Sequence, residues 1–263
     1  MKVAWIGMGR IGKAMALRVL AAGHDLVGHA RTPETQREIE AAGGRLTGLL
    51  GEAVADAEVV CVNVYDEIQL RDALLTGGAL AAMRSGAVLV IHSTVGPAII
   101  RELAQARGDI KVIDAPFSGT DKSAAGGTIA LMVGGDGAAL KEARPVLACY
   151  ANFIEHVGPL GAGALIKLVN NALFGAQMLL AHDAIRILSE GGIDQQCAVT
   201  SLGRSSGGSF ALQQFAQGGD ADARLTGVWP YMQKDVAAAR TALADLRIDL
   251  GLLDITTRRF INA

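Results

Sequence analysis

The sequence has few cysteines, and Cys61, Cys149 and Cys197 stand far apart. They form no C-x-x-C pair and no Cys/His spacing that could hold zinc, and an odd number of distant thiols gives no disulfide framework. An apolar stretch at the N-terminus is interrupted by Arg10 and Lys13 before it reaches the length of a signal peptide. We therefore expect reduced thiols, no bound metal and a cytoplasmic protein.

The sequence also lacks an excess of charge of either sign. It has 24 Lys+Arg against 26 Asp+Glu, with no block of like charge. Electrostatic binding to nucleic acid or to an anionic membrane surface needs a basic patch or run. We therefore expect no nucleic-acid partner and no membrane partner, and small molecules are the expected ligands.

Residues 1–160 show short β-branched runs that alternate with Ala/Leu-rich stretches of helical length. This alternation predicts an α/β domain with a doubly wound, mostly parallel sheet, which binds ligands beyond the C-terminal ends of its strands. The predicted strands are Val3–Gly7, Asp25–His29, Val59–Val64, Ala87–His92, Lys111–Asp114 and Ile129–Val133. The clearest predicted helices are Ile11–Ala22, Pro33–Ala42 and Pro97–Ala106.

Residues 161–263 have helical character throughout and predict a second, all-α domain for substrate binding and oligomerisation. It begins with a long helix between the domains, Ala164–Leu188, whose apolar part approaches the length that crosses a bilayer. Four polar side chains inside this helix disfavour a membrane span: Lys167, Asn170, Asn171 and Gln177. Further along, Gly203–Ser209 predicts a loop, and Trp229-Pro230 predicts another helix start.

The first predicted strand leads directly into a G-x-G-x-x-G motif that opens the first predicted helix. The motif alone is weak in a chain with 33 glycines, and a structural glycine turn is the alternative. Its place between strand and helix favours a dinucleotide site in a Rossmann-type domain, because the glycines let a pyrophosphate approach the helix N-terminus. The predicted cofactor contacts are Gly7, Met8, Gly9, Arg10, Ile11 and Gly12, with Asn63 and Val64 at the end of a neighbouring strand.

The second predicted strand ends in His29-Ala30-Arg31-Thr32, where an NAD-selective site carries Asp or Glu for the ribose 2′-hydroxyl. Arg31 can bind a 2′-phosphate with its guanidinium, and Thr32 can donate its hydroxyl to it. We therefore predict NADP as the preferred cofactor, with NAD possible. Stacking of Arg31 on adenine is the alternative, and it permits either cofactor.

Three further stretches complete a family resemblance. Asp114-Ala115-Pro116-Phe117-Ser118-Gly119-Thr120 is similar to a substrate-binding D-A-P-V-S-G-G motif, and Lys234-Asp235 is similar to a C-terminal K-D pair. The segment from Gly161 to Asn171 is similar to a catalytic G-x-G-x-x-x-K-x-x-N-N motif. With the N-terminal fingerprint, these stretches resemble the β-hydroxyacid dehydrogenase family, which includes 3-hydroxyisobutyrate dehydrogenase and tartronate semialdehyde reductase.

The helix spacing supports the same site independently. Lys167 and Asn171 are four residues apart and share one helix face, with Asn170 beside them. The apolar neighbours of Lys167 in the sequence predict a partly desolvated ammonium and a pKa lowered toward the range useful for acid/base chemistry. Taken alone, such a lysine is more often a snorkelling or paired residue. With the family motif around it, we predict that Lys167 is catalytic.

The resemblance implies an enzyme: an NAD(P)-dependent oxidoreductase that transfers hydride between nicotinamide and the hydroxyl-bearing carbon of a small 3-hydroxy acid. Small hydroxy or aldehyde acids are the implied substrates, and Lys167 takes or gives the hydroxyl proton. The apolar helical domain favours a homodimer or a larger assembly. A non-catalytic nucleotide-binding module for assembly and an imine reductase-like enzyme are the alternatives.

The resemblance also assigns the other site residues. Ser118, Gly119 and Thr120 would cradle the substrate carboxylate, and Asn171 would orient the hydroxyl. Lys234 would close the site near the nicotinamide. A plain turn at Ser118-Gly119 and an exposed helix lysine at Lys234 are the alternatives. Beside the nicotinamide ribose it implies Ser93 and Thr94, for which a helix N-cap before Pro97 is the alternative.

Some residues depart from the family pattern. Phe117 stands where the family has Val and Thr120 where it has Gly, so a narrower or more polar acid pocket is expected. Ala30 replaces the Asn that often precedes the Arg-Thr pair. The sequence ends earlier after Asp235 than is typical, so we expect the C-terminal side of the pocket, or a subunit contact, to be open or built differently.

Overall fold

The computed structural model describes residues 1–29, 32–216 and 220–261. The chain divides into two compact units, Met1–Lys167 and Leu168–Ala263. The division falls inside one long helix, and the domain boundary after residue 160 stays a prediction.

The first unit contains a sheet whose strands, within the described residues, are nine in number. They are β1 Lys2–Ile6, β2 Asp25–His29, β3 Arg45–Leu46, β4 Val59–Val62, β5 Val88–Ile91, β6 Lys111–Asp114, β7 Phe117–Ser118, β8 Ile129–Gly135 and β9 Ala151–Gly158. Their order is β3-β2-β1-β4-β5-β6-β8-β7, with β9 also paired to β8. The first six strands are parallel, while β8 runs antiparallel to β6 and β7. The order 3-2-1-4-5-6 is that of a dinucleotide-binding sheet, which confirms the predicted fold class.

Helices connect these strands and cover the sheet. They are α1 Arg10–Ala21, α2 Pro33–Ala41, α3 Leu50–Val54, α4 Glu67–Arg71, α5 Ala79–Ala82, α6 Pro97–Ala106, α7 Asp121–Ala125 and α8 Gly137–Leu147, with a π-helical turn at Asp72–Thr76. Alternate residues of each central strand enter two separate cores. In β1, for example, Val3 and Trp5 belong to one core cluster, and Ala4 and Ile6 belong to the other. Because the central strands are buried on both faces, their sequences are continuous runs of apolar residues.

The second unit is helical in the part that the structure describes. The long helix α9, Ala162–Glu190, leads into it, and α10 Gln195–Gly203, α11 Phe210–Phe215, α12 Ala221–Asp245 and α13 Leu252–Ile261 follow. By length and composition alone α9 could cross a membrane, but half of its most apolar stretch is buried. Leu168 and Ala172 of α9 pack with Ala239 and Ala242 of α12, which is the arrangement of a core helix.

The predicted helix start at Trp229-Pro230 is wrong. The helix α12 begins at Ala221, where the Asp220 carboxylate accepts from two backbone amides, and it continues through Pro230. A proline inside a helix removes one backbone hydrogen bond and disfavours the helix locally. Residues before and after it, Leu225 and Met232, belong to one core cluster, and this packing explains why the helix continues.

Candidate active site

The glycine-rich turn after β1 has the geometry that a pyrophosphate requires. Gly7 has φ +89°, a backbone conformation that favours glycine, and a Cβ there would overlap the Asn63 carbonyl oxygen. A Cβ on Gly12 would overlap the Gly7 carbonyl oxygen. Gly9 is the N-cap of α1 without a side-chain cap, and a Cβ on it would meet nothing within 4 Å. The turn therefore leaves open space in front of a helix N-terminus, which fits a dinucleotide phosphate.

The remaining residues of the motif differ in their environments. Arg10 is exposed, and Ile11 is half-buried. Met8 is buried at 8% exposure, and its Cε occupies the space that a Cβ on Gly28 of β2 would need. Met8 therefore packs on the sheet through its side chain, so only its backbone is suited to contact the cofactor.

The ends of β4 and β5 lie next to this turn, at the point where the strand order reverses. The Asn63 amide donates to the Ile6 carbonyl at 2.8 Å, which extends the pairing of β1 and β4. The Val64 amide donates to the Ser93 hydroxyl at 2.9 Å, and Ser93 is 2% exposed. Ligands of doubly wound sheets bind at such switch points. The N-cap alternative for Ser93 and Thr94 is wrong, because α6 has Gly96 as its N-cap and no side-chain cap.

At the end of β2, the structure describes His29 and Thr32, whereas Arg31 lies outside the described residues. The His29 Nδ1 is 3.1 Å from the Thr47 carbonyl oxygen. Thr32 is exposed, and its hydroxyl donates to Thr35 Oγ1 at 2.9 Å. A 2′-phosphate would compete with Thr35 for this hydroxyl.

The turn after β7 carries the predicted carboxylate-binding residues. Ser118 and Thr120 are exposed. Gly119 has φ +145°, and a Cβ on it would lie 2.7 Å from Ile129 Cδ1, so only glycine fits this turn. Thr120 is the N-cap of α7, where its hydroxyl accepts from the Ser123 amide at 3.3 Å. Thr120 thus supports α7 as well, which is a contact that the motif did not predict.

The Lys167 side chain is half-buried on α9, but not for the reason that the sequence suggests. Its neighbours Ile166 and Val169 are exposed, at 42% and 37%, although Leu168 is fully buried. Residues directly before and after a helical position point to other faces, so they do not desolvate its side chain. The residues one turn away on the same helix face, Gly163, Ala164 and Asn171, are buried. A lowered Lys167 pKa therefore stays a prediction.

In the second unit, Asn171 belongs to a cluster of polar side chains from α9 and α12. Its Nδ2 donates to Asp235 Oδ2 at 2.6 Å, and its Oδ1 accepts from Asn170 at 3.1 Å. Asp235 also forms an ion pair with Lys234 at 2.7 Å. These contacts fix the orientation of the Asn171 amide and leave its second N–H to donate to a ligand. The sequence assigned no role to Asp235. Its position directly after Lys234, in the K-D pair, was the feature that could have indicated one.

Comparison with known proteins identifies the family. Residues 2–158 match the model of the NAD binding domain of 6-phosphogluconate dehydrogenase, which is more than half of the chain. Residues 161–263 match the model of the NAD-binding region of NADP-dependent 3-hydroxyisobutyrate dehydrogenase. The chain belongs to the β-hydroxyacid dehydrogenase family.

Individual members of this β-hydroxyacid dehydrogenase family match nearly the whole chain. The NAD-dependent L-serine dehydrogenase of Pseudomonas aeruginosa is 31% identical over 244 residues, 91% of this chain and 78% of that protein. The 2-(hydroxymethyl)glutarate dehydrogenase of Eubacterium barkeri is 29% identical over 266 residues, 98% of this chain and 88% of that protein. The structure of Mycobacterium tuberculosis 3-hydroxyisobutyrate dehydrogenase with L-serine has a TM-score of 0.86 and 27% identity, covering 98% and 92% of the two chains.

These relatives confirm the predicted type of enzyme. The protein is an NAD(P)-dependent hydroxyacid dehydrogenase, and the alternatives of a non-catalytic module and an imine reductase are not favoured. No comparison tests the individual site residues, which stay predictions.

The motifs of this β-hydroxyacid dehydrogenase did not predict one buried polar side chain near the candidate cofactor site, His92. His92 is 1% exposed at the end of β5, directly before Ser93. Its Nδ1 is 2.6 Å from the Ala115 carbonyl oxygen and its Nε2 is 2.9 Å from the Tyr150 hydroxyl. A neutral imidazole satisfies both contacts, since Nδ1–H donates to the carbonyl and Nε2 accepts from the hydroxyl. Burial lowers the pKa of His92 to about 4, which favours that neutral form.

Proposed function

We propose that the protein interconverts a small 3-hydroxy acid and the corresponding aldehyde acid, with Lys167 as the residue that accepts or donates the hydroxyl proton. The observation that carries this proposal is the segment from Gly161 to Asn171 on α9. It puts an amine and an oriented amide on one helix face, four residues apart. An amine moves the proton, and an amide N–H holds the hydroxyl oxygen in place.

The chain's own groups account for binding and proton transfer. A bound nicotinamide supplies or accepts the hydride. The turn from Gly7 to Gly12 binds the pyrophosphate, and the Ser118-Gly119-Thr120 turn binds the substrate carboxylate. In oxidation, neutral Lys167 removes the hydroxyl proton as the carbonyl forms. In reduction, the Lys167 ammonium returns that proton to the oxygen.

The substrate class follows from the relatives and from the chemistry of these residues. L-serine dehydrogenase and 3-hydroxyisobutyrate dehydrogenase are named for compounds whose carboxylate carbon is C1 and whose hydroxyl is on C3. L-serine and 3-hydroxyisobutyrate are therefore the first substrates to assay. Reduction of small aldehyde acids, followed by NADPH and NADH absorbance, tests the reverse direction, and no turnover of any such compound would contradict the proposal.

We expect Ser118→Ala to lower kcat/KM by about tenfold, because it removes one substrate hydrogen bond worth about 1.4 kcal/mol. Asn171→Ala should lower kcat/KM by at least as much, because it also leaves the buried Asp235 carboxylate without its amide donor. Cofactor affinity should stay unchanged. Ser85→Ala is the matched control, since Ser85 is exposed and lies just before β5, at the opposite end of that strand from Ser93. Steady-state kinetics that match wild type in both site variants would place the carboxylate and hydroxyl contacts elsewhere.

We propose NADP as the preferred cofactor, because residues 29–32 at the end of β2 contain no carboxylate to repel a 2′-phosphate and Arg31 stands there instead. Arg31→Ala should weaken NADPH binding by roughly 10- to 150-fold, which corresponds to the loss of one charge-assisted contact of about 1.5–3 kcal/mol. NADH binding should change little. Fluorescence titration of both cofactors measures this, with Arg37→Ala as the control for an exposed arginine on α2. Equal losses for both cofactors would mean that Arg31 stacks on adenine.

We also propose a cytoplasmic homodimer or larger assembly without nucleic-acid or membrane partners. Support for the assembly comes from an apolar stripe on α9 whose members are seven residues apart and exposed by 42–60%: Ile166, Leu173, Leu180 and Ile187. Apolar side chains at this spacing share one helix face, as in helix–helix interfaces. Sedimentation at equilibrium would contradict the proposal if it gave the mass of one chain at micromolar concentration.

A further inference from the structure

Asp114 ends β6 and lies fully buried next to the first turn of α9. Its Oδ1 accepts from the Gly161 amide, and its Oδ2 accepts from the Ala164 amide, each at 2.7 Å. Burial raises the pKa of this carboxyl group, and the backbone amides that it accepts from act in the opposite direction. Because both oxygens accept amide hydrogens, the ionised carboxylate is the form that fits.

The chain around Asp114 is built to allow this close approach. A Cβ on Gly163 would overlap the Met132 carbonyl oxygen and lie 2.9 Å from Asp114 Oδ2. A Cβ on Gly134 of β8 would lie 2.5 Å from Asp114 Oδ1, and Gly161 has φ +94°. The glycines of the G-x-G segment therefore allow the start of α9 to pack closely against the sheet, whether or not they also contact a ligand.

The helix turn that Asp114 contacts directly precedes Lys167. Gly163 and Ala164 precede Lys167 by four and three residues, so all three share one face of α9. Helical side chains lean toward the N-terminus and cover the preceding turn. A shift of this turn therefore shifts the lysine amine by a similar distance.

We propose that Asp114 is a positioning residue for the reaction, which holds the first turn of α9 so that Lys167 meets the substrate hydroxyl. This inference rests on the proposed role of Lys167. It differs from ordinary helix capping, for which Asp136 is the example in the same unit: Asp136 is exposed, and its carboxylate accepts from the Ala138 amide at the start of α8.

The first experiment compares Asp114→Asn with the control Asp136→Asn. Asparagine has nearly the same size, but its NH2 group cannot accept an amide hydrogen, so one of the two bonds is lost. We expect kcat to fall by about 10- to 100-fold, as small misplacements of reacting groups do, while the Kd for NADPH stays within about twofold of wild type. Hydrogen exchange at the Gly161 and Ala164 amides should become faster. Asp136→Asn should keep the wild-type kcat.

The second experiment is a double-mutant cycle with Lys167→Met, measured on residual turnover. If Asp114 acts through Lys167, Asp114→Asn should lower kcat in the wild-type background and have little further effect when Lys167 is absent. A merely structural role would lower both rates by the same factor, and that result would overturn the inference. If Asp114→Asn does not fold, Asp114→Ser replaces it, because its hydroxyl accepts one amide and its smaller size admits a water.

The outcomes for the inference and for the proposed function are distinguishable. Full turnover in Lys167→Met would remove the proposed proton carrier, and this inference with it. Equal losses on both backgrounds would overturn the positioning role alone. Loss of the folded state with both Asp114 substitutions would show that the carboxylate is required by the whole unit, and would overturn a specific role of Asp114 in positioning Lys167 while leaving the role of Lys167 itself untouched.

Discussion

Lys167→Met should lower turnover by about 10²- to 10⁴-fold, the contribution of a positioned acid/base group. Methionine keeps much of the apolar stem of lysine and removes the ammonium, so the helix that contains it should remain intact. The Kd for NADPH should stay near its wild-type value, because the proposed pyrophosphate site is the separate turn at Gly7–Gly12. Steady-state kinetics with the best small hydroxy acid, together with cofactor titration, measure both quantities.

The pH dependence gives the Lys167 experiment a second readout. In the oxidation of a hydroxy acid the base must be neutral to accept a proton, so the wild-type rate should rise with pH. This rising limb should vanish in Lys167→Met. Lys141→Met is the control, since Lys141 is an exposed lysine on α8. A folded Lys167→Met protein with most of its turnover would remove Lys167 from the mechanism.

The parts of the fold that the sequence predicted well are those with strong local patterns. The central strands β4 and β5 are apolar and buried on both faces, and their predicted bounds extend at most two residues beyond the observed ones. The strands β2 and β6 were predicted with their observed bounds. The last strand, β9, was not predicted, because only Ala151 among its residues is buried and its other positions mix polar and apolar side chains. The strands β3 and β7 have two residues each, which is too short for any periodicity.

The site shows the same division between local and distant information. The glycine turn and the helix that contains Lys167 follow from motifs of contiguous residues. Asp114 contacts Gly161 across 47 positions of the sequence, and His92 contacts Tyr150 across 58. Such pairs depend on strand order, which local periodicity does not encode. The motif around Asp114 therefore predicted a substrate loop and missed the carboxylate that seats α9.

The buried His92 predicts a loss of stability in mild acid. Burial lowers its pKa from 6.5 to about 4 in the folded protein, whereas in the unfolded chain it titrates near 6.5. Between these two values the unfolded state binds the extra proton, so the free energy of unfolding falls as the pH decreases. The contribution is fully present above pH 6.5 and amounts to about 3 kcal/mol when it is lost near pH 4. That is more than a hundredfold change in the folding equilibrium.

Carboxylates also change their protonation in acid, so the contribution of His92 must be separated from theirs. This is done by comparing how the free energy of unfolding changes with pH in the wild type and in His92→Asn. His92→Asn keeps an N–H donor for the Ala115 carbonyl but cannot be protonated in this range, and it leaves the Tyr150 hydroxyl without its acceptor. It should be less stable at pH 7 and should lose less stability between pH 6.5 and 4.5 in urea unfolding. His156→Asn, at an exposed position in β9, is the control. An unchanged pH slope in His92→Asn would show that the imidazole is not what limits acid stability.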